Sequence, residues 1–214
     1  LLVTPRVRMH IELTSRCRLA CTKCIRTGMG KLLKIADIKI EHIEKIAKTE
    51  SITDITFSGS LGDPIYHPKF LEIVKILKAS GKTISVNTNG SGKKIEFWKE
   101  LYSILDKRDR VVFAIDGFEK TVGMYRKNFT KADFEAVKEA MLLGKSMDIA
   151  IVWNFIPFNF NENQIVQAAK WAIQHEVFFT VKKSKRWQME NDPLIPTNRN
   201  LVSSEANFLR KQQV

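Results

Sequence analysis

Long apolar runs are missing from these 214 residues. No stretch approaches the about 20 apolar residues that a bilayer-spanning helix needs, so no membrane partner is expected. The opening Leu-Leu-Val-Thr-Pro-Arg is too short and too polar to read as an export signal. Cysteine is scarce: Cys17, Cys21 and Cys24 are the only three. An odd, closely spaced trio excludes a disulfide framework, and unpaired thiols without an export signal point to the reducing cytoplasm. Acidic residues are in deficit, with 23 Asp and Glu against 35 Lys and Arg, for a formal net charge of +12. Most of that excess sits at the two ends. Residues 1–40 hold nine basic and two acidic side chains, and residues 181–214 hold seven and three. Such ends either attract an acidic partner (a nucleotide, RNA or an acidic peptide) or form a solvated basic surface. There is no internal repeat, low-complexity tract or Gly/Ser linker, and the length suits one domain.

What is present alternates. Short runs rich in Val, Ile, Phe and Thr read as strands at 7–13, 54–57, 83–86, 111–115, 149–155 and 177–181. Between them, helical periodicity covers 38–48, 68–79, 95–107, 131–143 and 161–175. Ile40, Ile43, Ile46 and Ala47 mark one buried helix face, and Phe70, Ile73, Val74 and Leu77 mark the next. Pro68 suits a first helical turn, Gly81 and Gly144 are expected just past helix ends, and Asp37 and Asn161 are expected as N-caps. A short final helix is expected over 204–210. Six β–α alternations predict an α/β fold, an open parallel sheet with outer helices. They are too few for a closed eight-stranded barrel of about 250 residues, so a partial (β/α)6 barrel is expected over 1–185. Residues 186–214 then form a C-terminal extension positioned to cover the barrel opening.

In such folds ligands meet the carboxyl ends of the strands. The first strand runs into Cys17-Arg-Leu-Ala-Cys21-Thr-Lys-Cys24. Three thiolates at this spacing can hold three irons of a [4Fe–4S] cubane, leaving one iron open to a ligand. A zinc site would need a fourth ligand, and the histidines His10, His42, His67 and His175 all lie outside the run. A zinc-bearing nucleic-acid-binding module remains the alternative from a different class. The second strand ends in Ser58-Gly59-Ser60-Leu61-Gly62-Asp63-Pro64, and the glycines permit positive φ or close backbone approach. The third ends in Asn87-Thr88-Asn89-Gly90, the fourth in Asp116-Gly117 with Tyr125-Arg126 following, and the fifth carries Asn154.

This pattern resembles the radical S-adenosylmethionine (radical SAM) superfamily, whose hallmark is the three-cysteine run on the loop after the first barrel strand. It is closest to the SPASM/Twitch-related branch, but lacks the cysteines that hold auxiliary clusters there. The resemblance implies a [4Fe–4S] cluster on Cys17, Cys21 and Cys24, with S-adenosylmethionine (SAM) on its open iron. Gly59, Gly62 and Asp63 match the glycine-rich segment whose backbone receives the SAM amino group. Asn87, Asn89, Asp116 and Asn154 are further cofactor-binding candidates, with Arg126 as the cation for the SAM carboxylate. Lys23 stands where relatives carry an apolar residue against adenine, so its stem is expected to pack there and its ammonium to reach solvent. The implied activity is reductive cleavage of SAM to a 5′-deoxyadenosyl radical that abstracts hydrogen from a peptide or protein side chain. Modification of a nucleotide or tRNA is the alternative substrate reading. The implied partners are that substrate and a one-electron donor such as flavodoxin or ferredoxin. Independently of the resemblance, the positive charge of 16–34 and 182–199, at or just beyond the strand carboxyl ends, predicts substrate entry over a basic rim there.

Overall fold

Each β-branched run of the sequence becomes one strand of a single sheet. The computed structural model describes residues 6–187 and 191–203. Its strands are β1 (Val7–Ile11), β2 (Ile52–Phe57), β3 (Thr83–Thr88), β4 (Arg110–Ala114), β5 (Ala150–Phe155) and β6 (Phe178–Val181). They lie in the order β1-β2-β3-β4-β5-β6, and every neighbouring pair is parallel. Parallel neighbours require crossovers, and these are supplied by α1 (Ile25–Met29), α2 (Ile40–Lys48), α3 (Phe70–Ala79), α4 (Ile95–Ile104), α5 (Glu119–Tyr125), α6 (Lys131–Ser146) and α7 (Ile165–Gln174). The fold is thus the open six-stranded α/β barrel that the alternation predicts.

The two faces of the sheet differ in chemistry. Ile55, Phe57, Ile84, Val86, Val111, Phe113, Ile151, Trp153 and Phe155 are buried beneath the helices and form one continuous core. The other face carries polar and half-exposed positions in register. One row is His10, Thr56, Ser85, Arg110 and Ala150, and a higher row is Ala114, Asn154 and Thr180. Most parallel sheets are apolar on both faces because helices cover both. Here the alternation shows that one face is left as an open concave groove.

Several local expectations are corrected. Gly144 lies inside α6, where its missing side chain admits Ile151: a Cβ there would stand 2.4 Å from the Ile151 Cδ1. Asp37 does not cap α2, whose N-cap is Lys39; its carboxylate instead accepts from Thr14 Oγ1 at 2.6 Å and pairs with Arg16. Asn161 caps only a short 3-10 turn, Glu162–Gln164, and without a side-chain bond to it. Helices α1 and α5 have no counterpart among the expectations; at five and seven residues they are too short for apolar periodicity to register. The helix expected over 204–210 lies outside the described residues.

Candidate active site

The cysteine run leaves β1 and is pinned along its length. The Asp63 N–H donates to the Arg16 carbonyl at 2.8 Å, Ala20 N–H to Lys127, and Thr22 N–H to Tyr125. Arg18 pairs with Asp133 at the start of α6 at 2.8 Å. Cys24 then caps α1, its N–H bonded back to Cys21. The thiols are half-buried, and burial pushes Cys17 up and Cys21 up to about 11, Arg126 opposing the shift at Cys21.

The glycine loop lies against this run through backbone contact. A Cβ on Gly62 would stand 2.0 Å from the Thr14 carbonyl oxygen, and one on Gly59 would stand 1.7 Å from the Gly62 oxygen. Neither glycine has positive φ, so close approach alone accounts for them. Glu12 clasps the same loop, accepting from Ser60 N–H at 3.0 Å and Leu61 N–H at 3.3 Å.

Asp63 is wholly buried and turned inward. Its carboxylate accepts from Thr88 Oγ1 at 2.8 Å, Asn89 N–H at 2.7 Å, Asn89 Nδ2 and Ile65 N–H. Burial pushes its carboxyl up, and the donors from Asn89 and Thr88 oppose that. Asn89 is equally committed. Its Oδ1 accepts from Ser91 N–H at 2.9 Å and from the Ser91 hydroxyl, which fixes the amide orientation. Its Nδ2 then faces both Asp63 and the Cys17 Sγ, 3.6 Å away. Asn87 Nδ2 donates to the Phe57 carbonyl at 3.1 Å, and Asn154 Oδ1 accepts from Thr180 Oγ1 at 3.2 Å.

Arg126 and Asp116 form a buried ion pair at 2.7 Å. Burial opposes the Arg126 charge, but Asp116, then Cys21 and Tyr125, outweigh it and keep the guanidinium cationic. Its Nε is buried without a hydrogen-bond partner. An orphaned donor beside Cys21 is the kind of vacancy an incoming anionic group satisfies.

Lys23 departs from expectation. Its ammonium turns inward to Asp192 at 2.5 Å, a carboxylate almost fully buried, instead of reaching solvent. Tyr125, Phe158, Trp187 and Ile195 form a second, small apolar cluster against which Cys21 packs. The basic rim is therefore partly neutralised, since Arg16, Arg18 and Lys23 all hold carboxylates. Glu12, Ser91, Thr180 and Asp192 were missed from sequence. Glu12 had a signal, one acidic residue directly before the cysteine run; the others act through contacts that spacing does not reveal.

The donor set fits an iron–sulfur cubane. Three soft thiols lie on one loop, with an amide N–H beside Cys17 and a cation near Cys21. A cubane asks each sulfur to reach a different iron.

Comparison with known proteins agrees. The family model described as the radical SAM superfamily matches residues 11–172. A probable GTP 3′,8-cyclase of Pyrococcus horikoshii is 28% identical over 185 residues, covering 81% of this chain and 58% of that protein. A tungsten-containing aldehyde ferredoxin oxidoreductase cofactor-modifying protein of Pyrococcus furiosus is 30% identical over 117 residues, 50% of this chain and 30% of that one. Among solved structures, Streptococcus suis SuiB bound to S-adenosylmethionine superposes with a TM-score of 0.67 at 14% identity, over 92% of this chain and 46% of that one. Native anSMEcpe with bound AdoMet and a Cp18Cys peptide gives 0.63 at 18%, over 88% and 56%. The chain spans less than two thirds of the length of each of these proteins.

Proposed function

Because this chain belongs to the radical SAM superfamily, a family that uses a [4Fe–4S] cluster and SAM, we propose that it cleaves SAM reductively and abstracts hydrogen from a polar substrate. When bound, the cluster and SAM would together supply, after one electron from a flavodoxin- or ferredoxin-type donor, methionine and a 5′-deoxyadenosyl radical. The chain's own residues do the positioning. Cys17, Cys21 and Cys24 would hold the cluster. The carbonyls of the Gly59–Gly62 loop would receive the SAM amino group, and the orphaned Arg126 Nε would meet the carboxylate. Asn154 and Thr180, on the concave face, would meet the sugar or the substrate. Asp63, Asn87 and Asp116 would act from behind: their side chains are engaged with the fold, so they set the shape of the binding loops instead of touching the ligand.

The single observation that carries this reading is the knot in which Asp63 and Asn89 tie the glycine loop and the end of β3 to the Cys17 sulfur. It joins the cluster loop to the SAM-binding segments in one hydrogen-bonded unit. Two substrate readings stand beside each other. Relatives named GTP 3′,8-cyclase, matched over 81% of this chain, support a nucleotide. The resemblance to the peptide-modifying branch supports a peptide or protein side chain.

Anaerobic reconstitution with iron and sulfide, then SAM and a reductant, tests the activity. The expected result is about four iron and four sulfide per chain and formation of 5′-deoxyadenosine. One zinc per chain and no SAM cleavage would instead identify a zinc-bearing nucleic-acid-binding module.

A further inference from the structure

The concave face has a second polar centre, at the opposite end of the strands from the cysteines. A cavity of about 140 Å³ opens at the floor of the groove, lined by Arg8, Asp54, Thr56, Ser85, Arg108 and Arg110. The register explains why they meet. Thr56, Ser85 and Arg110 occupy one row across β2, β3 and β4, with Arg8 and Asp54 one row below. Arg110 is oriented by the Ser85 hydroxyl, which accepts from its Nε at 2.9 Å. Arg108 is already held by Asp106 through two contacts. Arg8 and Arg110 make no ion pair among the described residues. Asp54 is the one carboxylate in the lining, and it accepts from the Thr53 hydroxyl at 2.6 Å. Two cations against one anion leave the floor net positive.

We propose that this floor is an oxyanion subsite that takes the phosphate end of a phosphorylated, ring-bearing substrate of nucleotide size. Two guanidinium groups with two hydroxyls beside them match a phosphate, which offers several acceptors in a tetrahedral array. The cavity is too small for a whole ligand, since complete small-molecule sites run from about 300 Å³ upward. It therefore holds one group of a larger molecule. The rest of the groove says what that molecule carries. One row above Arg110 lie Val112, Val152 and Phe178, and Phe178 is 62% exposed. A large aromatic ring open to a polar groove is a platform for a flat ring. Phe178 stands two strands from Arg110, about 10 Å across the sheet, a span suited to a phosphate joined through a sugar to a base. The row of Asn154 and Thr180 lies four residues above Arg110, about 13 Å along the strands, and brings the sugar toward the cysteine end. This assignment rests on the reading of the concave face as the substrate site.

The test uses the full chain without cluster, so that it does not depend on SAM chemistry. Binding of pyrophosphate, ATP and GTP is measured by calorimetry at low salt. Arg8→Gln and Arg110→Gln should each weaken all three about tenfold or more, from the loss of one charged hydrogen-bonding group. Arg110→Lys should recover only part of that loss, because an ammonium lacks the planar fork. Phe178→Ala should weaken ATP and GTP and leave pyrophosphate unchanged. Unaltered thermal melts would show that these exposed substitutions do not act through folding. The proposal is overturned if pyrophosphate fails to bind. It is equally overturned if the two Arg→Gln variants bind like the parent, or if Lys182→Gln and Lys183→Gln weaken binding as much, which would mark a diffuse basic surface. Competition by an acidic peptide stronger than by pyrophosphate would give the floor to a carboxylate and also overturn it. Failure of any of these leaves 5′-deoxyadenosine formation untouched, so the two readings fall separately.

Discussion

At the scale of single residues, the side chains that matter most face inward. Asn89 was legible as a site residue from its place after β3, but its partner was not. Nothing in the sequence says that its amide is held by Ser91 and presented to the Cys17 sulfur. Hydrogen bonds to cluster sulfurs stabilise the more negative, reduced state. Asn89→Ala should therefore shift the midpoint potential of the reconstituted cluster to a more negative value, read by a redox titration followed by electron paramagnetic resonance. An unchanged potential would leave Asn89 a purely structural residue. Arg126 was equally legible as a cation near the cofactor, and its buried pairing with Asp116 was not, because the two are ten positions apart on different elements. Removing one partner of a buried pair strands the other charge. Arg126→Ala should thus cost about 3–5 kcal/mol of unfolding free energy, measured by urea denaturation of the protein without cluster, in addition to any loss of SAM affinity.

At the scale of elements, the six strands were legible because each is a compact β-branched run, and five helices because their apolar positions repeat over two turns or more. The strand ends shifted by up to two residues, as at β3, which continues through Asn87 and Thr88. The glycine loop shows where composition alone stops. Gly59 and Gly62 could have served a turn, yet the structure uses them for contact between two backbones. Gly62→Ala places a methyl group where the Thr14 carbonyl stands, and backbone cannot yield as a flexible side chain can. The cysteine loop should then be displaced. The expected outcome is a protein with parental far-ultraviolet circular dichroism that takes up markedly less iron on reconstitution. Full iron uptake by Gly62→Ala would show that the two loops part without cost to the cluster site.

At the scale of the whole molecule, one face of the sheet is core and the other is groove, and this division could be anticipated from alternation within each strand once the register was known. The contacts of the C-terminal segment, expected only as a cover for the barrel opening, could not. After β6 the periodicity dissolves, and only the structure shows Trp187 and Ile195 packing with Tyr125 and Phe158 beside Cys21. Trp187→Ala empties the centre of that small cluster and should destabilise the chain by about 3–5 kcal/mol. It should also speed alkylation of Cys21 relative to Cys17 in the protein without cluster, which mass spectrometry would resolve. Equal labelling of the two thiols before and after substitution would separate the segment from the cysteine loop.

The Lys23–Asp192 contact joins positions 169 residues apart. The cysteines leave the ribosome well before Asp192. At about 5–20 residues per second, the interval between them is on the order of 10 s. Throughout that interval the thiols stand without the segment that later packs over Cys21. While the chain is being made, Cys21 is therefore more open to an incoming cluster than in the finished fold, where it packs against the small apolar cluster.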